Sequence, residues 1–161
     1  MRLICTLLLS IWFTIAFSQN YSPEQKVDML GVFKKGTIGL ELKPGKDYAK
    51  TKKKLLKKRP DYLFYDKEDD VFSIVFSEDG GEYADIKFTV NQGKIVGAYI
   101  DVYLNHTAES KQLQSLITTS FRHNYKKESG TTWSGSGLDI DFYDGKENGH
   151  DGFVIQYVPS N

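Results

Sequence analysis

The sequence contains little cysteine, and this scarcity limits both how the chain is stabilised and which reactions it could catalyse. Its one cysteine, Cys5, lies in an apolar segment at the N-terminus. The rest of the chain therefore offers neither a disulfide nor a cysteine nucleophile. A chain of 161 residues buries about two thirds of its unfolded surface when it folds. We therefore expect one hydrophobic core that is stable without disulfides.

Long apolar runs are also absent beyond the N-terminus. A basic start precedes the apolar segment Leu3–Phe17, and Ala16 and Ser18 supply the small residues that a signal peptidase recognises. A transmembrane helix would need about 20 apolar residues. We therefore expect a signal peptide at residues 1–18, cleaved after Ser18, and no transmembrane segment after cleavage. Residues 19–161 are expected to form a single exported domain, in the periplasm or outside the cell.

An overall excess of one charge is missing, because 21 basic residues balance 21 acidic ones. The two signs are nevertheless unevenly distributed. Residues 19–59 contain 12 Lys/Arg and 4 Asp/Glu, whereas residues 60–161 contain 8 and 17. An asymmetry of this size gives information about partners rather than about the fold.

Alternating apolar and polar residues predict a run of strands at the centre of the chain. The three strands are Val71–Ser77, Ala84–Asn91 and Lys94–Leu104. The connections contain Gly80-Gly81 and Asn91-Gln92-Gly93, which suit tight hairpins. This pattern predicts an antiparallel meander with one buried face, and it places Tyr99, Asp101 and Tyr103 on the other face.

Helical periodicity and end signals predict three helices around this meander. They are a short helix after Ser22, a second at Lys46–Arg59 and a third at Ala108–Lys127, capped by Asn105 or Thr107 and with Lys126 and Lys127 at its end. Further strands are expected at Thr37–Leu42, Asp61–Asp66, Thr131–Trp133, Leu138–Tyr143 and Phe153–Val158. The order predicts an α+β two-layer sandwich, an antiparallel meander sheet with the two main helices on one face.

The layout of these elements, together with Gly39, Trp133 and Tyr157, resembles a group of small exported bacterial proteins. Their folds are similar to the β-lactamase-inhibitor-like domains. The resemblance covers most of residues 19–161, and it rests on layout rather than on a motif. It implies protein or ligand binding in the cell envelope without catalysis, and it assigns a role to no individual residue.

The residue combinations that catalysis requires are scarce. His106, His123 and His150 are far apart in the sequence, and none is near a recognisable nucleophile motif. The short glycine turns do not precede a helix with the Lys-Ser/Thr pattern of a phosphate-binding loop. The sequence therefore predicts no catalytic residues and no cofactor.

An acidic cluster near the C-terminus has the composition of a metal site. Its members are Asp139, Asp141, Asp144, Glu147, Asn148 and Asp151. Calcium requires several oxygen ligands that converge. Strand alternation is expected to point Asp139 and Asp141 outward, and the spacing lacks the closing Glu of a helix–loop–helix calcium site. We therefore expect a solvated hairpin here and no metal.

The second predicted helix carries the most distinctive surface of the sequence. One side contains Lys46, Lys50, Lys53, Lys54 and Lys57, and the other contains Tyr48, Ala49, Leu55 and Leu56. A basic face attracts anionic lipids, polysaccharides or acidic proteins, although the alternative is an ordinary solvated face. Nucleic acid is not expected as a partner, because aromatic residues do not alternate with the lysines.

Tyr99 and Tyr103, with Trp133, offer a second candidate surface, on the sheet, unless they are packing residues. We therefore expect an exported, non-enzymatic binding protein, such as an inhibitor or immunity protein of the cell envelope. The alternative is a small metal-dependent or carboxylate-based hydrolase whose carboxylates converge only in the fold. A pocket that gathers carboxylates around one histidine would favour the hydrolase, and a broad open sheet face would favour binding.

Overall fold

The computed structural model describes residues 21–145 and 151–160, so the predicted signal peptide and its cleavage site lie outside the described residues. The helices in the described part are α1 (Pro23–Leu30), α2 (Tyr48–Lys57) and α3 (Thr107–Asn124). The strands are β1 (Leu63–Asp66), β2 (Val71–Val75), β3 (Tyr83–Asn91), β4 (Lys94–Leu104), β5 (Lys126–Lys127), β6 (Thr132–Gly135), β7 (Leu138–Asp144) and β8 (Asp151–Pro159). The predicted α+β class with an antiparallel meander is confirmed.

All these strands form one eight-stranded antiparallel sheet in the order β1-β2-β3-β4-β8-β7-β6-β5. Two meanders, β1–β4 and β5–β8, meet at the centre of the sheet, where β4 pairs with β8. Each meander follows a main helix, α2 or α3, so the order of one helix and then four strands occurs twice. The predicted central meander of three strands thus becomes part of a sheet of eight.

The core lies between the helices and one face of the sheet. A single row of paired residues crosses five strands there, and its members are all buried: Phe72, Ile86, Ile100, Ile155 and Phe142. Helix α3 packs Leu113, Ile117 and Phe121 on this side. Burying each such side chain contributes about 1.5–3 kcal/mol. Because alternation puts the apolar side chains of the strands on one face, the helices pack against that face.

Helix α1 begins as its sequence predicts. The Ser22 hydroxyl accepts a hydrogen bond from the Gln25 N–H, and the Gln25 side chain accepts one from the Ser22 N–H. This reciprocal capping box satisfies two free N–H groups of the first turn. The helix ends at Gly31, whose φ of 64° is strained for residues with a Cβ.

The predicted strand at Thr37–Leu42 is wrong. Gly39, Leu40 and Glu41 have φ values of 101°, 48° and 55°, which are incompatible with an extended strand. The Leu40 N–H donates to the Leu30 carbonyl oxygen at 2.7 Å, so the segment folds as a turn against the end of α1. The apolar alternation in the sequence came from side chains that this turn packs against the core.

The prediction that Lys126 and Lys127 end the long helix is also wrong. Helix α3 ends at Asn124, and the two lysines form the short edge strand β5. Tyr125 causes the change of direction: its backbone is extended, and its hydroxyl accepts a hydrogen bond from the Gly36 N–H at 2.8 Å. Its aromatic side chain is buried, so the chain turns here to join the sheet.

The N-cap of α3 is neither Asn105 nor Thr107, the two residues predicted for it. The N-cap position is occupied by His106, which makes no capping hydrogen bond with its side chain. Thr107 instead donates its hydroxyl hydrogen bond to Asp151 at the start of β8. The helix is therefore positioned by the sheet rather than by a local cap. None of the described helices is both long enough and apolar enough to span a membrane.

Candidate binding surfaces

The five lysines predicted as a binding surface all lie on the exposed side of α2 and its entry. We call Lys46, Lys50, Lys53, Lys54 and Lys57 the lysine stripe. Their side chains are exposed, and none forms a salt bridge with a carboxylate in residues 21–145 or 151–160. The stripe thus presents uncompensated positive charge to solvent.

The opposite side of α2 is only partly as predicted. Tyr48 and Leu55 are partly buried, but Ala49 and Leu56 are exposed, and the helix has no fully buried residue. Lys52, which the sequence analysis did not select, also lies on this inner side. Its ammonium is 4.5 Å from the centre of the Tyr65 ring and 5.6 Å from that of Tyr48.

Asp70 joins α2 to the first hairpin of the sheet. One carboxylate oxygen accepts hydrogen bonds from the Tyr48 and Tyr65 hydroxyls, both at 2.6 Å, and from the Lys52 ammonium at 2.9 Å. Desolvation alone would raise the pKa of Asp70, but these three hydrogen bonds outweigh it and lower the pKa to about 2. Burial and the same carboxylate raise the pKa of Tyr48. This cluster holds α2 so that the lysine stripe faces away from the sheet.

The second surface is the face of the sheet that no described helix covers, and we call it the open face. Its acidic residues are Asp66, Asp85, Asp101, Asp139 and Asp141, each alternating with buried core residues. The three exposed aromatic residues of the described chain also lie here: Phe64, Tyr99 and Tyr143, at 50%, 38% and 40% exposure. Lys87 and Lys126 also lie on this face, in register with Tyr99 and Ser134, but the carboxylates outnumber them. The open face therefore has an excess of negative charge and carries exposed aromatic residues.

Two of these acidic residues face each other at the centre of the sheet. Asp85 of β3 lies directly opposite Asp101 of β4. The Ser73 hydroxyl donates to Asp85 at 2.6 Å, and the Tyr103 hydroxyl donates to Asp101 at 2.8 Å. The rings of Tyr83 and Tyr103 stack beside them, with 4.5 Å between their centres.

Burial and, after it, neighbouring negative charges shift the pKa values of Asp85 and of the nearby Tyr83. Burial raises the pKa of Asp85, and the charge of Asp66 adds to this effect, while the Ser73 hydrogen bond opposes it. The pKa of Tyr83 is also raised, first by burial and then by the charges of Asp85 and Asp101. Both shifts favour the uncharged forms, first because burial disfavours a charged group and then because nearby carboxylates repel a further negative charge.

Tyr99 and Tyr103 therefore do not share a surface with the lysine stripe. Tyr48 of α2 packs near the core residue Phe88, with 6.4 Å between ring centres. The neighbouring residue Lys87 lies on the opposite face of the sheet, paired with Tyr99. The predicted site residues thus form two surfaces, one basic and one acidic, on opposite sides of the sheet. Trp133, the third aromatic candidate, is 3% exposed and belongs to the core.

A polar hollow of about 200 Å³ brings carboxylates close to one histidine. It is lined by Lys26, Ser77, Asp79, Glu82, Asn105, His106 and Glu109. Lys26 is 1% exposed, and its ammonium lies 2.6 Å from Glu82 and 2.5 Å from Glu109. These two carboxylates therefore already neutralise a buried cation. Sequence reasoning missed this group because Lys26 lies on the same side of α1 as Val27 and Leu30, where a charge is unexpected.

The acidic residues near the C-terminus, which have the composition of a metal site, lie on different faces of the sheet. Asp139 and Asp141 lie on the open face, where they accept hydrogen bonds from Ser160 and Thr132. Asp144 lies in register with the core residue Phe153. Within the described residues, no group of three His, Cys, Asp or Glu side chains could hold a metal ion.

Asp151, another member of that cluster, begins β8 and accepts a hydrogen bond from the Thr107 hydroxyl. Glu147, Asn148 and His150 lie outside the described residues. His106 and His123 are exposed at the two ends of α3.

Comparison with protein-family models, with curated proteins and with solved structures finds no match to this chain. Its function has to be inferred from the two charged surfaces and the polar hollow.

Proposed function

We propose that the protein is an exported, non-enzymatic binding protein that recognises a protein partner through the open face. The observation that carries the proposal is the position of Phe64, Tyr99 and Tyr143, since the exposed aromatic residues of the described chain all lie on this face. Aromatic side chains are enriched in protein interfaces relative to other surfaces. An inhibitor or immunity protein of the cell envelope is the specific form that we favour.

The dimensions of the open face support this proposal. Phe64 and Tyr143 lie at the two ends of one row of paired residues, which crosses β1, β2, β3, β4, β8 and β7. Strands lie about 4.8 Å apart, so six of them span roughly 24 Å. A standard interface uses about 800 Å² on each partner, which corresponds to a patch of similar width.

The opposed carboxylates indicate the charge of the partner. Like charges directly opposite each other on neighbouring strands destabilise a sheet, and Asp85 and Asp101 have this relationship. A cationic group from a partner would relieve their repulsion. The open face is therefore expected to prefer a basic surface, and binding should weaken as salt is added, since salt screens charges over about 8 Å at physiological strength.

Capture experiments test the proposal with a matched pair of variants. The first replaces Tyr99 and Tyr143 by Ala on the open face, and the control replaces Lys111 and Arg122 by Ala on the exposed side of α3. A partner captured from an envelope extract by the wild type and the control, but not by the first variant, supports the proposal. Equal capture by all three proteins contradicts it.

Export is a separate part of the proposal, and it is tested by determining the N-terminal residue of the exported protein. The apolar segment Leu3–Phe17 and the small residues before Gln19 support cleavage after Ser18. Mass spectrometry of the exported protein should then find Gln19 at its N-terminus. A product that retains Leu3–Phe17 would contradict a cleaved signal.

A carboxylate-based hydrolase is the second candidate, supported by the polar hollow in which His106 lies near Glu109. The ion pairs of Lys26 with Glu82 and Glu109 oppose it, because a general base must be free to accept a proton. Hydrolysis of a panel of chromogenic esters and peptides, abolished by His106→Ala, would favour this candidate. The same panel left unreacted would favour the binding protein.

A further inference from the structure

We propose that the open face binds the lysine stripe of a second copy of this chain, so that copies associate head to tail. This inference rests on the proposed function, because it names the partner of the same face. The basic helix α2 and the acidic sheet face carry opposite charges, and both surfaces belong to one chain.

Within a single molecule these two surfaces cannot neutralise each other. Tyr48 and Leu55 attach α2 to the core side of the sheet, whereas Asp85 and Asp101 lie on the other side. The lysine stripe also points away from the sheet, because the Asp70 cluster fixes the inner side of the helix. Opposite charges that are separated in this way can meet only between molecules.

The overall charge does not oppose such an association. A large net charge keeps proteins apart by repulsion, but this sequence has a formal net charge of zero at pH 7. Two copies therefore attract through their unlike faces without a general repulsion between them. The charge asymmetry along the sequence becomes a charge difference between two sides of the molecule.

The shapes of the two surfaces are compatible as well. A helix packed on a sheet face is the usual way in which these elements bury surface together, and the open face has no described helix on it. Beside the stripe, Leu56 is 37% exposed, and it borders a shallow hollow lined by Tyr48, Ala49, Lys52 and Lys53. This apolar patch gives the exposed Tyr99 of the neighbouring copy a surface to contact.

The contact is heterologous, because it joins two different surfaces. A pair of copies therefore still has one unoccupied open face and one unoccupied lysine stripe. Such contacts form rings when the rotation closes and open chains when it does not. The association should also be strongly salt-dependent, since the Debye length falls from about 30 Å at 0.01 M salt to about 3 Å at 1 M. We expect species larger than a dimer at low salt and monomers at high salt.

Sedimentation velocity on three purified proteins and one control tests this inference. The first is the wild type, the second carries Lys50→Glu, Lys53→Glu and Lys57→Glu, and the third carries Asp85→Asn and Asp101→Asn. A control with Lys35→Glu, Lys111→Glu and Arg122→Glu changes the net charge as the second does, at exposed positions outside both surfaces. The wild type and the control should associate at low salt, and the second and third proteins should remain monomeric.

Mixing the second and third proteins provides the decisive result. The second retains an intact open face and the third an intact lysine stripe, so an equimolar mixture should form dimers and nothing larger. Circular dichroism establishes that each variant is folded before it is mixed. The absence of dimers in the mixture, or a stripe variant that associates like the wild type, would overturn the inference.

The outcomes separate this inference from the proposed function. If the wild type is monomeric at low salt, self-association is excluded, and the capture experiment still decides whether another basic protein occupies the open face. If the capture experiment fails but the mixture forms dimers, the open face serves self-association and the envelope partner is excluded.

Discussion

Asp85 and Asp101 lie directly opposite each other on two adjacent central strands of the sheet. The residues in register beyond them are Ser73 on β2, next to Asp85, and Val154 on β8, next to Asp101. Like charges directly opposite each other on neighbouring strands destabilise a sheet, so we expect this pair to lower the stability of the protein. The energetic consequence can be measured directly.

Replacing Asp85 by Asn should stabilise the protein at neutral pH by up to about 1 kcal/mol, the range of a cross-strand pair. The Asn oxygen can still accept the hydrogen bond from Ser73. Urea denaturation of the variant gives the value. Asp139→Asn is the matched control on the same face, because Asp139 lies opposite Val158 rather than a carboxylate. An equal gain in both variants would contradict a specific Asp85–Asp101 effect.

The pH dependence of this effect has a defined sign. The pKa of Asp85 is raised above its usual value of 3.8, so the folded state binds the proton more tightly than the unfolded state does. Stability from this group is therefore present below pH 3.8 and is lost as the pH rises through the folded pKa. The advantage of Asp85→Asn should appear over this window and vanish at lower pH. An advantage independent of pH would exclude titration of Asp85 as its cause.

Replacing Asp70 by Asn tests how firmly α2 is attached. Asn keeps the left-handed backbone at φ 57° accessible but removes the charge, so we expect a loss of about 1 kcal/mol. The pKa of Asp70 is lowered to about 2, so its contribution is present above pH 3.8 and is lost as the pH falls towards 2. Hydrogen exchange should show weaker protection in α2. The exposed neighbour Asp69→Asn is the control, and equal losses in both variants would contradict the assignment.

Replacing Lys26 by Met should be strongly destabilising, by about 3–5 kcal/mol, because it leaves a buried carboxylate without its cation. Glu82 has a side chain only 8% exposed, so it bears most of this effect. Lys34→Met is the control: its partner Glu41 is exposed, and such pairs contribute about 0–1 kcal/mol. A small loss for Lys26→Met, similar to that of the control, would contradict a buried ion pair at Glu82.

Replacing Tyr157 by Phe should leave stability unchanged or raise it by about 1 kcal/mol. The Tyr157 hydroxyl is buried and has no hydrogen-bond partner within the described residues, and a buried unpaired polar group costs about 1–3 kcal/mol. Burial accordingly raises the pKa of Tyr157. Tyr125→Phe is the matched control, since it removes the hydrogen bond from the Gly36 N–H and should destabilise. A clear loss in Tyr157→Phe would show that its hydroxyl is bonded in solution.

The lysine stripe should be dispensable for folding. Lys50→Glu, Lys53→Glu and Lys57→Glu together should change the free energy of unfolding by no more than about 0.5 kcal/mol for each site, because these side chains are exposed. Retention on an anionic resin should fall, and Lys52→Gln, at the inner side of α2, should affect retention less and stability more. If the triple variant is retained like the wild type, the stripe is an ordinary solvated face.

Local sequence predicted most of the strands but not their neighbours. The strand Lys94–Leu104 was predicted with its observed bounds, because period-two alternation depends only on which side chains can be buried. Its pairing with β8 joins residues that are distant in the sequence, from Leu104 with Asp151 to Ala98 with Tyr157, and no local pattern specifies such pairs. The prediction of a strand at residues 37–42 is wrong for a related reason. The apolar spacing of this segment fits a strand, but hydrogen bonds to the end of α1 stabilise its left-handed backbone as a turn.

The sequence by itself determined the alternating strands, the lysine stripe on one side of a helix and the uneven distribution of charge, since each depends on the order of residues along one segment. Only the tertiary structure decided that Asp85 and Asp101 meet, that Lys26 is buried between two carboxylates, and that the basic and acidic surfaces lie on opposite sides of the sheet. These relationships depend on which distant segments pack together. Packing is selected by the burial of the whole core, so it cannot be inferred from the periodicity of any one element.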